Sequence, residues 1–274
     1  MAARARSEIR LEDITATPRG CPGMTAFKDH FSGHAADYAA ARPGYPDALF
    51  DWLAQRSPGR GLAWDAGCGN GQAALALAAR FGRVHASDAS AAQIASAVAH
   101  PRIRYQVAPA QAPDLPARSV DLVTVAQAWH WFDRDAFHGA VREVARPGAV
   151  LAVWCYGICT VSPAVDAVFE RLYEGVLGPY WPPERRHVEA GYGDLSFPFA
   201  PLPAPPFAMA CDWDLPAFLA YLRSWSASQR HLAATGRDAV AGLAEAFAAA
   251  WGAPATVRTV RWPLALRAGR VDAT

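Results

Sequence analysis

The sequence predicts an α/β fold in which a doubly wound, mostly parallel sheet carries seven strands. Short apolar segments alternate with amphipathic ones over residues 62–157, which is the rhythm of right-handed βαβ crossovers. The segment "WDAGCGNGQ" (64–72) then places closely spaced glycines where the first strand meets its helix. A chain of 274 residues with 52% hydrophobic and 19% charged residues suits one sizeable soluble domain.

The elements up to Gly157 can be assigned from their periodicity. "YPDALFDWLAQR" predicts a helix with Pro46 near its first turn. Five strands are predicted: GLAWDAG, RVHASDAS, IRYQVAPA, SVDLVTVAQAWHWF and AVLAVWCYG. The helices between them are GQAALALAARFG, which is expected to end at Gly82, SAAQIASAVAH, and DRDAFHGAVREVARPG, with Pro147-Gly148 as its stop.

The remaining chain departs from this rhythm. A last strand is predicted at 256–270 and a preceding one at 206–212, which completes a Rossmann-like sheet whose final strand is antiparallel. Helical and Pro-rich sequence at 158–205 and 213–252 predicts an α-helical cap insertion over the substrate. Residues 1–23 show no apolar period and are expected to be a loose extension. The ligand-binding α/β domain is assigned to 24–157, including an aromatic-faced helix near its start.

Composition excludes several classes of function. The net charge of +1 and the lack of a basic stripe argue against nucleic acid as a partner. No apolar run is long enough to span a bilayer, so no membrane is expected. The five cysteines are dispersed without a CxxC pair, which argues against a metal site and favours a reducing, cytoplasmic compartment. Monomer and homodimer both remain open.

Three ligands compete for the glycine turn. A nucleoside triphosphate would require a lysine, which the turn lacks, and a dinucleotide would require a third glycine where Gln72 stands. S-adenosylmethionine fits best, because Asp65 can receive its ammonium and Asp88, ending the next strand, can accept both ribose hydroxyls. On this interpretation the alternate glycines leave room for the sugar and the amino-acid tail. A tight turn without a ligand is the remaining alternative.

Residues 27–157 resemble the class I S-adenosylmethionine-dependent methyltransferases of the type 11 group, in particular the small-molecule branch that contains trans-aconitate methyltransferase. The resemblance rests on FKDHFSGHAADYAAARPGYP, WDAGCGNGQ, ASDAS, AQAPDLPARSVDLV and QAWHWFD. It implies a lid helix over the cofactor, with Tyr38 and Arg42 near the cofactor tail or the substrate. The other cofactor-binding positions that it implies are Asp65, Ala66, Gly67, Gly69, Asp88, Ala89, Ala110, Gln111 and Gln127. Pro109 replaces an aspartate that binds adenine in many relatives.

The segment "QAWHWF" (127–132) lies where such enzymes select their acceptor. It lacks the Asn/Asp-Pro-Pro-Tyr/Phe motif that holds planar amines, which argues against methylation of adenine or glutamine. His130 is the candidate general base, since its ordinary pKa lies near neutrality. The candidate substrate contacts are Trp129, His130, Trp181, Arg185, Arg186, His187, Tyr221 and Trp225. Arg185 and Arg186 would together clamp an acceptor carboxylate.

The sequence therefore predicts an enzyme that transfers a methyl group from S-adenosylmethionine to a small-molecule acceptor, such as a carboxylate or another oxygen nucleophile. In-line alignment of donor and acceptor would supply much of the rate. A non-catalytic protein that binds S-adenosylmethionine is one alternative, and an NAD-dependent oxidoreductase is another.

Overall fold

The computed structural model describes residues 44–271. Tyr38, Arg42, the predicted lid helix and the predicted extension over 1–23 lie outside this range. The α-helices are α1 (Asp47–Arg56), α2 (Gln72–Ala78), α3 (Ala91–Ala95), α4 (Arg134–Val144), α5 (Pro163–Glu170), α6 (Arg185–Glu189), α7 (Leu215–Arg223), α8 (Ser226–Thr235) and α9 (Ala244–Trp251). The strands are β1 (Leu62–Ala66), β2 (Arg83–Asp88), β3 (Ile103–Val107), β4 (Val120–Ala126), β5 (Ala145–Tyr156), β6 (Ala200–Pro201), β7 (Phe207–Trp213) and β8 (Arg258–Arg270).

One twisted sheet organises the described residues. Its order is β3-β2-β1-β4-β5-β8-β6, and β7 also pairs with β8. The β1–β5 ladders are parallel, and β8 runs antiparallel to β5, β6 and β7. The predicted doubly wound, mostly parallel sheet with an antiparallel last strand is confirmed. The count of seven strands missed the two-residue β6, which is too short to show a period of its own.

Hydrophobic cores lie on both faces of the sheet. Alternate residues of β5 point to opposite sides, so Val150 and Trp154 join one core while Leu151 and Val153 join the other. Because both faces are covered, residues 149–156 of β5 are apolar without interruption and not merely on alternate positions. The carboxyl ends of the parallel strands remain as the edge where ligands bind in such folds.

The chain between β5 and β8 forms helices around this edge. A π-helix (Arg171–Val176) follows α5 directly, and 3-10 turns lie at Gly178–Tyr180 and Ala241–Leu243. Helices α7 and α9 are joined by aromatic packing, with Phe218 5.3 Å from Trp251 between ring centroids. In residues 44–271 no helix has the length and apolar character needed to cross a bilayer.

Two predicted helix ends are wrong. Helix α2 ends at Ala78 and not at Gly82, because the Gly82 N–H donates to the carbonyl of Arg60, in the loop before β1, and not to a carbonyl of the helix. Helix α4 ends at Val144, before Pro147, because Ala145 already pairs with Val120 as the first residue of β5. In both cases, tertiary contacts ended the helix before the expected glycine or proline.

Candidate active site

The glycine turn joins β1 to α2. Gly67, Gly69 and Gly71 have φ values of 66°, 54° and 89°, the left-handed region that glycine tolerates best. A Cβ on Gly67 would lie 2.7 Å from the Ala128 Cβ, and a Cβ on Gly71 would overlap the Tyr105 ring. Of these three glycines, only Gly69 has open space where a Cβ would lie. At Gly67 and Gly71 other protein atoms occupy the space that was expected to hold the ligand.

Asp65 lies at the end of β1 and is fully buried. Its Oδ1 accepts a hydrogen bond from Thr124 Oγ1 at 2.8 Å, whereas its buried Oδ2 has no hydrogen-bond partner among residues 44–271. Burial is the main reason that the pKa of Asp65 is raised to about 7, and the negative charge of Asp88 also raises it. The Thr124 hydroxyl and the Ala74 backbone lower it, but by less. A buried carboxylate oxygen without a partner is a site ready for a cationic group.

Asp88 ends β2 beside this turn. Its Oδ2 accepts from the Gly69 backbone N–H and its Oδ1 from the Ser90 backbone N–H, both at 2.8 Å. The two bonds fix the carboxylate against the turn. Ala89, next to Asp88, is exposed.

The glycine turn and the strand ends that carry Asp65 and Asp88 are called here the crevice. The remaining predicted cofactor positions lie at the end of β1 and in the loop after β3. Ala66 is fully buried at the end of β1, and Ala110 is buried in the loop after β3. Gln111, next to Ala110, is exposed. The ring of Tyr105, on β3, packs against Gly71 of the turn. Burial raises the pKa of Tyr105 to about 12.

Gln127 follows the last residue of β4 and bonds to the end of β5. Its backbone adopts a left-handed φ of 57°, uncommon for a residue with a side chain. Its side-chain Nε2 donates to the Tyr156 carbonyl at 3.1 Å, and its Oε1 accepts from the Tyr156 N–H at 2.9 Å. Both amide atoms are thus engaged within the protein. Gln127 fixes the ends of β4 and β5 and presents its flank to a pocket.

That pocket, called here the aromatic pocket, lies between the strand ends and the helical cap. Its ring-bearing and charged lining consists of His130, Trp131, Tyr156, Phe169, Tyr173, Trp181, Arg185, Tyr221 and Trp225. The cap rings pack edge to face, with Trp225 5.4 Å from Phe169 and 5.5 Å from Tyr221 between centroids. The result is an aromatic wall with one arginine in it.

The structure separates the predicted substrate residues into two groups. Trp181, Tyr221 and Trp225 line the aromatic pocket, as do His130 and Arg185. Trp129, Arg186 and His187 do not, which corrects the expectation for these three.

Their orientations give the reasons. Within the 3-10 turn Trp129–Trp131, Trp129 points inward and is fully buried against Tyr192, while His130 and Trp131 point to the pocket. Arg186 is exposed on the outer side of α6. His187 lies 2.6 Å from Asp194 through Nδ1, so its ring faces that carboxylate.

Three of the aromatic pocket residues are not among the predicted site residues. Tyr156 ends the buried strand β5, Phe169 lies on α5, and Tyr173 lies on the π-helix that follows α5. Their apolar spacing on a helix is typical of core packing, so the sequence offers no signal that separates a core ring from a pocket ring. The topology alone brings them to the edge of the sheet.

In sequence and in fold, the chain is similar to known methyltransferases. Residues 63–148 match a family described as a methyltransferase domain. A candidate methyltransferase of Dictyostelium discoideum is 31% identical over 234 residues, which cover 84% of this chain and 89% of that protein. A solved structure of a candidate type II methyltransferase from Anaeromyxobacter dehalogenans superposes with a TM-score of 0.81 at 53% identity, covering 85% of this chain and 99% of that one. An uncharacterized methyltransferase of Mycobacterium tuberculosis is 35% identical over 126 residues, 45% of this chain and 51% of that protein.

The chain belongs to the class I S-adenosylmethionine-dependent methyltransferases. The methyltransferase uses S-adenosylmethionine as its methyl donor, and the residues of the crevice fit that cofactor. The unpaired Oδ2 of Asp65 suits the ammonium of the amino-acid tail, and the fixed carboxylate of Asp88 suits a diol. Among residues 44–271, no cluster of His, Cys, Asp or Glu could hold a metal ion.

Proposed function

We propose that the methyltransferase methylates a small carboxylic acid, or another small oxygen nucleophile, that binds in the aromatic pocket. The observation that carries this proposal is a pre-oriented arginine inside that pocket. Arg185 lies between rings, with its Cζ 4.9 Å from the Trp181 centroid and 5.5 Å from that of Tyr173. Its side chain is 18% exposed, so little solvent competes for the guanidinium.

The two terminal nitrogens of Arg185 are left for a ligand. Its Nε donates to the Tyr173 hydroxyl at 2.8 Å, and Tyr173 donates in turn to Glu189 Oε1 at 2.6 Å. Glu189 Oε1 lies 3.9 Å from Arg185 Nε, so its carboxylate partly neutralises the arginine without bonding to the two terminal nitrogens of the guanidinium. The two terminal nitrogens have no hydrogen-bond partner among the described residues. A guanidinium with a free planar fork binds a carboxylate through two bonds.

The crevice and the pocket would align the two reactants. Asp65 would hold the amino-acid tail together with the backbone of Ala66, Gly67 and Gly69. Asp88 would bind the ribose, and the adenine would lie against Ala89, Ala110 and Gln111. The bound cofactor supplies an electrophilic methyl group on a sulfonium. Gln127 would keep the strand ends, and so the pocket floor, in register with that methyl group. A carboxylate is ionised at neutral pH, so its attack requires no base.

Several features favour a small acceptor over a macromolecule. The pocket lies under the cap assigned to 158–205 and 213–252, whose rings leave room for a compact ligand. The net charge of +1 offers no field for nucleic acid. On the motifs in residues 27–157, we also propose that the protein belongs to the branch that contains trans-aconitate methyltransferase. We further propose that it is cytoplasmic and acts as a monomer or a homodimer.

The proposal can be tested by steady-state kinetics. Formation of S-adenosylhomocysteine would be followed with a panel of small carboxylic acids and their uncharged amides. For any acid that is methylated, Arg185→Met should lower kcat/KM by about 10- to 100-fold, the loss of a charge-assisted pair. Arg186→Met, which changes the neighbouring exposed arginine, is the matched control and should keep the wild-type value. Equal turnover of an acid and its amide, insensitive to Arg185→Met, would refute the proposal.

A further inference from the structure

The two ring nitrogens of His130 face different surroundings. Nδ1 lies 2.9 Å from the hydroxyl oxygen of Tyr192, a fully buried residue in the turn after α6. Nε2 has no hydrogen-bond partner among residues 44–271, yet His130 borders the aromatic pocket. One nitrogen is thus committed to the protein interior and the other is available to a ligand.

The direction of the inner hydrogen bond can be assigned. Burial raises the pKa of Tyr192 well above its usual value, so the hydroxyl keeps its proton. Among residues 44–271, His130 Nδ1 is the one hydrogen-bond partner of this hydroxyl, so a proton on Nδ1 would leave the buried phenolic proton without an acceptor. The hydroxyl proton is left for Nδ1. A neutral imidazole that accepts at Nδ1 carries its own proton on Nε2.

The imidazole also stays neutral. Burial, together with the charges of Arg185 and His187, lowers the pKa of His130 to about 3. The other groups packed on the ring are Trp131, with 4.7 Å between centroids, and the Tyr192 hydroxyl. Neither supplies a negative charge that would favour protonation. A ring with so low a pKa is a weak base.

We propose that Tyr192 holds His130 in its Nε2–H form, and that His130 donates this hydrogen bond to the acceptor of methyl transfer. Tyr192 is then a positioning residue. The assignment replaces the general-base role predicted from the sequence. His130 and Arg185 together present only donors to the pocket, a combination suited to an anionic oxygen acceptor. Only the identity of the group that receives the hydrogen bond rests on the proposed function.

The tautomer can be measured without any acceptor. Protein with ¹⁵N-labelled histidine would be studied by long-range ¹H–¹⁵N correlation, with His130→Ala identifying the His130 signals among the eight histidines. We expect an Nε2–H pattern that does not change from about pH 5 to about pH 8. An Nδ1–H pattern, or a titration within that range, would overturn the proposal. Tyr192→Phe should convert the pattern to a mixture, and if this variant fails to fold, the wild-type spectrum alone decides.

Activity distinguishes donation from base catalysis. His130→Gln retains an N–H donor but no basic nitrogen, whereas His130→Ala retains neither. With methyl-labelled S-adenosylmethionine and the carboxylic acid panel, we expect the Gln variant to stay within about tenfold of wild type and the Ala variant to lose at least about 100-fold. Equal losses of about 100-fold or more in both variants would overturn the proposal, because the N–H donor of the Gln variant would then contribute nothing. Full activity of the Ala variant would equally refute donation.

Discussion

The carboxylate of Asp65 accepts a hydrogen bond from Thr124 through one oxygen and keeps the other buried and unpaired among residues 44–271. This asymmetry predicts that Asp65 holds the cofactor ammonium. Asp65→Asn should weaken S-adenosylmethionine binding by at least about tenfold, since a charge-assisted bond is lost. Calorimetric titration would measure the dissociation constant.

Asp121 provides the control for that substitution. It is an equally buried carboxylate on β4, but its oxygens accept from the backbone of Gly61 and Leu62 and from Arg146, away from the crevice. Asp121→Asn should lower the unfolding free energy and leave cofactor affinity unchanged. If both variants lose affinity equally, Asp65 acts through the fold and not through contact.

Asp65 should also make stability and affinity respond to pH in opposite directions. Its pKa is about 7 in the folded state against 3.8 for an unperturbed carboxyl. Between these values the folded protein keeps a proton that the unfolded chain has released, so stability without cofactor falls as pH rises through the window. Cofactor affinity should rise through the same window as the carboxylate forms. Urea unfolding and titration of wild type and Asp65→Asn would show both slopes, and the variant should lack them.

The glycine turn predicts different costs at neighbouring positions. Gly69→Ala should cost about 1 kcal/mol, because φ is left-handed but the space is open. Gly71→Ala should cost at least about 2 kcal/mol, because its Cβ also meets the Tyr105 ring. Thermal unfolding of the cofactor-free variants measures both. The reverse order of stability would contradict this account of the turn.

The contact of Gln127 with Tyr156 predicts an unusual ranking. Gln127→Ala and Gln127→Gly both remove the two bonds to the Tyr156 backbone, at a cost of about 1–3 kcal/mol. Gly relieves the left-handed φ, so the Gly variant should be more stable than the Ala variant by up to about 1 kcal/mol. Urea denaturation would compare them. An Ala variant as stable as wild type would mean that these bonds contribute nothing.

Much of the fold could be predicted because its signals are local. Apolar strands, glycine turns and helix periodicity identify the βαβ units, and Asp65 and Asp88 follow from their places at strand ends. The antiparallel β8 alternates clearly enough to be assigned. Strand β6 escaped prediction because two residues carry no period.

The acceptor side was harder to predict because orientation decides it. In "QAWHWF" the residues Trp129 and Trp131 look equivalent, but a 3-10 turn sends the first into the core and the second into the pocket. Arg185 and Arg186 likewise face opposite sides of a short helix. Tyr192 carries no signal in the sequence, since only the fold brings it to His130 across 62 positions.

The most direct measurement follows the label from S-adenosylmethionine into a metabolite extract. Methyl esters release methanol in alkali, whereas N- and C-methyl groups do not. The account predicts labelled product whose radioactivity becomes volatile in base, strongly reduced by Arg185→Met and unchanged by Arg186→Met. Label that is stable to base and formed equally by the Arg185→Met variant would contradict a carboxylate acceptor bound by Arg185.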